Sequence, residues 1–378
     1  MPDRAPADYE RRILLLVTGM TPQVVTETLY ALCHQHPPFI PTEVHLATTL
    51  EGAERARLSL LSDDPGWFRR LCQDYRLPPI QFDASHIHIL QDQSGTPLSD
   101  IRTPEDNERA ADQLTRLVRD LTTDEAAALH VSLAGGRKTM GYYLGYALSL
   151  FGRPQDRLSH VLVSEPFESS WSFFYPTPYE RIIETKDGKL ADCATAQVML
   201  AEIPFVRLRD GLPPALLKGQ VTMSAAVAAA NRSLQPPRLV LDLLKEEVWA
   251  DDLNIDVKPT ELALLLWLAE RVQQGKPEVE WRNVEAANEF LTYGQRILNP
   301  YGGDYERMKQ ALESCKDDDE RAKYFGPHKS RLKKAFEEAL GKKAANRYVI
   351  ARSGKRNDAT YSCYYLPLEA DQIEIRTS

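Results

Sequence analysis

The chain has few cysteines and no pairing among them. Five thiols, at positions 33, 72, 193, 315 and 363, are scattered through 378 residues with no CxxC spacing. This excludes a disulfide framework or a zinc knuckle and is the usage of a reducing compartment. Long hydrophobic runs are missing too. Stretches such as Ile13 to Val17 and Leu262 to Leu268 fall far short of the roughly 20 apolar residues that a membrane helix needs. The first residues, with Asp3, Arg4 and Asp8, lack the apolar segment of a secretory signal, so a cytoplasmic protein with no membrane partner is expected. Basic charge is not in excess. With 46 basic and 54 acidic side chains the formal charge is −8, which argues against coating nucleic acid over the whole surface. Neither a Walker-type glycine loop nor a GxGxxG turn occurs, so no mononucleotide or dinucleotide cofactor is expected.

What is present is an ordinary globular composition, 43% hydrophobic and 26% charged, in a chain long enough for two domains. The first half alternates short aliphatic runs with amphipathic stretches. Strands are expected at Arg12 to Val17, Glu43 to Thr48, His86 to Leu90, His130 to Leu133 and Ser159 to Val163. Helices are expected between them, one opening at Thr103-Pro104 with a capping hydroxyl and a first-turn proline. Strand and helix in strict alternation mean parallel βαβ units, here an α/β, Rossmann-like, doubly wound sheet. A proline-rich stretch from Ile203 to Arg238 follows, and the last third changes rhythm. Helices are expected at Pro259 to Glu270, Val284 to Leu291, Tyr305 to Ser314 and Ser330 to Leu340, then two strand-like runs at Arg347 to Arg352 and Thr360 to Leu366.

Two segments carry chemistry. Val17-Thr18-Gly19-Met20-Thr21-Pro22-Gln23 follows the first strand. Ser132-Leu133-Ala134-Gly135-Gly136-Arg137-Lys138-Thr139-Met140 follows the fourth strand and opens a helix. Ligands of open α/β sheets bind beyond the carboxyl ends of the strands, where the strand order reverses. Gly135 and Gly136 let backbone N–H groups approach an anion at a helix N-terminus, Arg137 and Lys138 bring two cations, and Ser132 and Thr139 bring hydroxyls. This reads as a phosphate site, the alternative being a glycine turn with two solvated cations. No carboxylate cluster or His/Cys set for a metal is evident. His86 and His88 alternate on one strand without a third ligand, and His34 and His36 mark a helix end. The aromatic run Trp171, Phe173, Phe174, Tyr175 reads as core or dimer surface, or as a contact for a base.

Leu16 to Tyr30 (LVTGMTPQVVTETLY) and Ala134 to Met140 (AGGRKTM), in this order, resemble a CRISPR-associated CARF-domain family of type III systems, a ring-nuclease or Csm-type accessory family. The resemblance covers about residues 10–220. It implies a homodimer binding a cyclic oligoadenylate, of four adenylates ahead of six, at its two-fold interface. Some members cleave the ring without metal by attack of a ribose 2′-OH on its own phosphate, a step that needs only alignment and cationic stabilisation. Lys138, Arg137, Thr18 and Gln23 are the expected catalytic groups. Thr18, Gly19, Met20, Thr21, Gln23, Ser132, Ala134, Gly135, Gly136, Arg137, Lys138 and Thr139 are the expected ligand contacts.

For the C-terminal part, residues 238–378 after a linker at 221–237, two readings stand. One is a winged-helix-like α+β domain with Pro259 to Leu265 in the opening helix, Ser330 to Leu340 as recognition helix and 347–366 as wing. Between Arg321 and Arg356 there are 12 basic residues and two acidic ones, a pattern that suits a phosphate backbone. Lys329, Arg331, Lys333, Lys334, Lys355 and Arg356 are then the contacts for DNA, and the protein is a ligand-controlled regulator. The other is a HEPN ribonuclease, since Arg321 and His328 match its Arg, four to six residues, His spacing, as do Arg153 and His160. Gly326-Pro327 is expected to break the helix that such a motif requires.

Overall fold

In the computed structural model, the described residues are 4–168, 170–219, 222–232, 235–299, 301–353 and 363–377. The chain folds as two compact units. Unit 1 is Met1–Arg209 with Gln220–Ala226, and unit 2 is Asp210–Gly219 with Val227–Ser378. The chain therefore passes between units more than once, and the segment expected as a linker at 221–237 contains a helix, Met223–Arg232.

Unit 1 is built on strands β1 (Arg11–Val17), β2 (Glu43–Thr48), β3 (Ile87–Ile89), β4 (Ala127–Ser132) and β5 (Arg157–Val163). A hairpin of β6 (Ile182–Glu184) and β7 (Leu190–Asp192) precedes β8 (Val198–Glu202). Helices α1 (Gln23–His34), α2 (Leu50–Ala56), α3 (Trp67–Asp74), α4 (Pro104–Leu121) and α5 (Lys138–Phe151) connect the strands. The six-stranded sheet runs β3-β2-β1-β4-β5-β8, with the first five strands parallel and β8 antiparallel to β5. Ile13 to Val17 have no exposed surface on either face of β1. Leu14 and Leu16 pack with Val25, Leu29 and Leu71, so helices cover that face. A strand buried on both sides must be apolar throughout, which is what Ile-Leu-Leu-Leu-Val provides, and each such side chain contributes about 1.5–3 kcal/mol. Thr103 caps α4 by accepting from the Asp106 N–H at 3.1 Å, with Pro104 in the first turn as expected.

In unit 2, α6 (Pro214–Lys218) lies in the first segment and α7 (Met223–Arg232) enters from unit 1. The strands β9 (Leu239–Asp242), β10 (Glu247–Ala250) and β11 (Leu253–Ile255) form an antiparallel meander. Five helices follow: α8 (Pro259–Gln273), α9 (Val284–Ile297), α10 (Gly303–Glu313), α11 (Asp318–Leu340) and α12 (Lys342–Ala345). The short pair β12 (Ala351–Arg352) and β13 (Tyr364–Tyr365) is antiparallel, and β14 (Ile373–Arg376) returns parallel to β9 in a sheet ordered β11-β10-β9-β14. Residues 261 to 269 of α8 are all buried, so this helix is surrounded on every side.

Two expectations are corrected here. The helix expected at Ser330 to Leu340 is the second half of a 23-residue helix, and Pro327 lies inside it. The break does not occur because Phe325, before the proline, and Leu332, Phe336 and Leu340, after it, anchor both halves in one core, and tertiary packing overrides the local cost. The strands β9–β11 and β14 were not expected from the sequence. They give unit 2 a four-stranded sheet in addition to the short pair β12–β13.

Candidate functional site

The strand order reverses between β1 and β4, neighbours that lead to helices α1 and α5. The two loops expected to hold the ligand leave the carboxyl ends of these strands and meet there. A Cβ on Gly19 would lie 3.7 Å from the Gly136 Cα, and one on Gly135 would press at 3.0 Å on both the Val17 carbonyl and Val24. Gly135 and Gly136 adopt φ of +87° and +70°, a left-handed pair that side chains resist. Successive residues of this kind turn backbone N–H groups toward one point. Directly after them α5 begins, and no side chain caps its N-terminus.

Charge is distributed unevenly over this loop. Arg137, Lys138 and Thr139 are exposed. Arg137 is held by Asp100 in a bidentate pair, Nε donating to Oδ1 at 2.8 Å and Nη2 to Oδ2. The Arg137 hydrogen bond is the main reason that the Asp100 carboxyl titrates near 2. Arg137 thus anchors its loop to Asp100, a pairing that competes with the catalytic role expected of it. No ion pair holds Lys138 among the described residues.

The hydroxyls are corrected as well. Thr18 is fully buried, its hydroxyl 3.5 Å from that of Thr48, while Thr48 donates to the Thr18 carbonyl at 2.7 Å. Ser132 is equally buried, 3.3 Å from the Thr28 hydroxyl, and accepts from the Ala134 N–H at 3.4 Å. Both tie the sheet end to its loops, and neither is exposed to solvent. Ala134 is buried, whereas Met20 and Thr21 are exposed at the rim.

Beside the glycine loop lies a cleft of about 290 Å³, lined by residues of α1, β5 and the segment after it, and reaching Ala134 and Gly135. Gln23, 6% exposed, opens α1 and donates from Nε2 to the Trp171 carbonyl at 3.1 Å. Its Oε1 is buried and has no hydrogen-bond partner among the described residues. One turn further, Glu27 is buried, and that burial, aided by the charge of Glu168, raises its carboxyl to about 8. Trp171 stands at the mouth with the Arg55 guanidinium 4.7 Å over its ring. Glu27, Glu168 and Asp100 were not expected. Glu27 was legible as a carboxylate set among Val24, Val25, Thr28 and Leu29 on one amphipathic helix, whereas Asp100 and Glu168 lie in loops with no local signal.

The remaining candidates are spread elsewhere. His88 is 2.9 Å from His45, and burial lowers both, His88 to about 4. Arg153 is 1% exposed and paired with Asp156 at 2.9 Å, while His160 is exposed on β5 and lines the cleft. Phe173, Phe174 and Tyr175 are buried. In unit 2, Arg321 donates to the Arg282 and Cys315 carbonyls and pairs with Asp318. His328 and Arg331 converge on the buried Glu261 at 2.9 and 2.5 Å. Lys329 sits 4.7 Å over the Tyr364 ring, and Lys333 and Lys334 pair along α11 with Glu337 and Glu338 at 3.7 and 3.6 Å. Lys355 and Arg356, with the middle of the expected wing (354–362), lie outside the described residues. No described helix is long and apolar enough to cross a membrane.

A family model described as CRISPR-associated protein NE0113 matches residues 21–236, a span that takes in α1, the glycine loop and the whole cleft. No curated protein matches the chain. Among solved structures, the chain is similar to a type III CRISPR defence DNA nuclease activated by cyclic oligoadenylate, at 17% identity and a TM-score of 0.25, over 82% of this chain and 34% of that one. It is also similar to Enterococcus italicus Csm6 bound to cyclic hexa-2′-fluoro-hexa-dAMP, at 11% identity and a TM-score of 0.25, over 80% of this chain and 54% of that one. The chain spans about a third and about half of these two proteins, and at such scores neither likeness carries an argument.

Proposed function

The chain belongs to the CRISPR-associated NE0113 family, and from that premise we propose that it is a cytoplasmic sensor of type III defence that binds a cyclic oligoadenylate and opens the ring. The observation that carries this reading is the loop at the β1–β4 switch point. It joins a left-handed glycine pair, an uncapped helix N-terminus and Lys138, a cation with no ion pair among the described residues. Such a constellation receives a phosphate. Arg137, locked to Asp100, keeps the loop in register. One phosphate loop and one adjoining cleft per chain suit a ring shared across the two-fold axis of a homodimer, each protomer taking half of a four-membered ring.

Cleavage needs no group beyond these. A ribose 2′-oxygen aligned with its neighbouring phosphorus attacks in line, the bond to the 5′-oxygen breaks, and a 2′,3′-cyclic phosphate and a 5′-hydroxyl result. The proton of the attacking hydroxyl ends on the departing oxygen through water. Lys138 and the loop N–H groups stabilise the charge that builds on the phosphate oxygens. Labelled cyclic tetra- and hexa-adenylate incubated with the protein in EDTA test this reading. Linear products ending in cyclic phosphate are expected, with the four-membered ring cut faster, and an intact ring after prolonged incubation would overturn the cleavage.

A second reading concerns unit 2. Its helices α8, α9 and α11 are followed by the β12–β13 pair, the order of a winged helix, and α11 presents Lys333 and Lys334 to solvent. A regulator that binds DNA through this unit would show salt-dependent binding that responds to the ring. Absence of such binding, with and without the ring, would remove it.

A further inference from the structure

The phosphate loop leaves the adjoining cleft unexplained. Gln23 and Glu27 are four residues apart on α1 and so lie on one face of the helix, toward the cleft that both line. The Gln23 amide nitrogen is committed to Trp171, but its buried Oε1 has no partner among the described residues. No hydrogen bond reaches the Glu27 carboxyl among the described residues. Buried polar groups are nearly always paired. An orphaned amide oxygen beside an unbonded carboxyl, 6% and 9% exposed, therefore marks the place of an absent donor and acceptor. A phosphate does not fit, because Glu168 lines the same cleft and adds a second carboxyl. A flat, uncharged heterocycle bearing an amino group does. The walls offer Val24 and Val161 as apolar surface and Trp171 at the mouth.

We propose that the cleft is the adenine pocket of the ring, with Glu27, as a carboxylic acid, donating its O–H to adenine N1 and accepting from the N6 amine, whose second N–H goes to Gln23 Oε1. This rests on the reading of the ligand as an oligoadenylate and names the residues that choose its base. The pairing is complete: the acid matches the N1–N6 edge with one donor and one acceptor, and both amine hydrogens are used. Guanine would place its O6, an acceptor, against Gln23 Oε1, whose amide cannot turn round because its nitrogen is held by the Trp171 carbonyl, so Gln23 sets acceptor against acceptor and a site built on buried hydrogen bonds rejects such a mismatch. Glu27 is able to play this part because burial, reinforced by Glu168, holds its carboxyl protonated up to about pH 8. The ionisable groups sharing the cleft are Glu168, after β5, and His160, on β5. Neither α3 nor β8, which also pack on α1, adds one to the lining.

The test is equilibrium binding of the full chain to labelled cyclic tetra-2′-deoxyadenylate, which lacks the attacking hydroxyl and stays intact, between pH 6.5 and 9.5. For the natural protein the Kd should be level to about pH 8 and then rise by up to tenfold per pH unit. Glu27→Gln, whose amide presents the same donor and acceptor, should bind like the natural protein at pH 6.5 and remain level to pH 9.5. Glu27→Ala should bind at least tenfold more weakly at pH 6.5, and Glu168→Gln should leave the break in place if its role is only to block phosphate, or move it to lower pH if its charge sustains the protonated acid. The proposal requires the lower-pH shift. Ring binding that is level to pH 9.5 in the natural protein, or undiminished in Glu27→Ala, overturns the assignment while leaving the ligand reading intact. No binding of either ring size by the natural protein overturns both.

Discussion

Two stretches of this chain concentrate cations, and they use them in opposite ways. In the loop before α5, Arg137 is occupied by Asp100, and this leaves Lys138 beside the glycine pair with its charge uncommitted among the described residues. On α11 the charges are absorbed within the unit. Arg331 reaches Glu261, Lys329 covers Tyr364, and Lys333 and Lys334 pair one turn on with Glu337 and Glu338. A run of basic residues in a sequence is therefore weak evidence for an anion site. The stronger evidence is a cation whose neighbours have been given other partners, at a place where the backbone also offers donors.

The comparison breaks or sharpens at three points, taken from the largest effect down. Lys138→Ala should slow single-turnover ring cleavage by about 10²–10³, the cost of one group stabilising a developing oxyanion, with affinity falling far less. The double variant Lys333→Ala, Lys334→Ala should leave both unchanged. Loss of cleavage in that double variant would place the chemistry on α11 and reverse the contrast.

Glu27→Gln should stabilise the ligand-free protein at pH 8. The folded-state carboxyl titrates near 8 and the unfolded one near 4.5, so the native state holds a proton that the unfolded state has released. Stability is then greatest below the unfolded value and is lost as pH rises toward 8. The variant removes that loss, on the order of 4 kcal/mol at pH 8, and almost none at pH 4. Equal melting temperatures of the two proteins at pH 8 would show that Glu27 is not buried as described.

The smallest effects separate the buried acid of unit 2 from its surface acids. Glu261, 2% exposed, accepts from His328 and Arg331, whose hydrogen bonds outweigh burial and lower its pKa. Glu261→Gln should cost about 1–3 kcal/mol by urea denaturation. Glu337→Gln, which removes only a helix-surface pair, should cost about 0.3–0.5 kcal/mol. Similar losses in the two variants would mean that the α11 pairs matter as much as the buried one.

Much of unit 1 could be read from local pattern alone. An unbroken aliphatic run such as Ile13 to Val17 has no stable place except a strand covered on both faces, and Thr103-Pro104 can only open a helix that its own side chain caps. The loop at Gly135-Gly136 was equally legible, because left-handed backbone beside a helix start favours glycine. The strands β9–β11 and β14 were not, being only three or four residues long, and neither was the continuity of α11 through Pro327, which depends on a core assembled from distant segments.

The sequence by itself determined the alternation of strand and helix, the two loops at the switch point and the family, since each is written in spacing over a few residues. It could not say which of the polar residues in those loops face outward. Thr18 and Ser132 read as ligand contacts and are buried against Thr48 and Thr28, Arg137 reads as a catalytic cation and is held by Asp100, and Glu27 reads as part of a helix and stands in the cleft. Those assignments depend on residues from 30 to more than 100 positions away along the chain, and only the packed sheet brings them together.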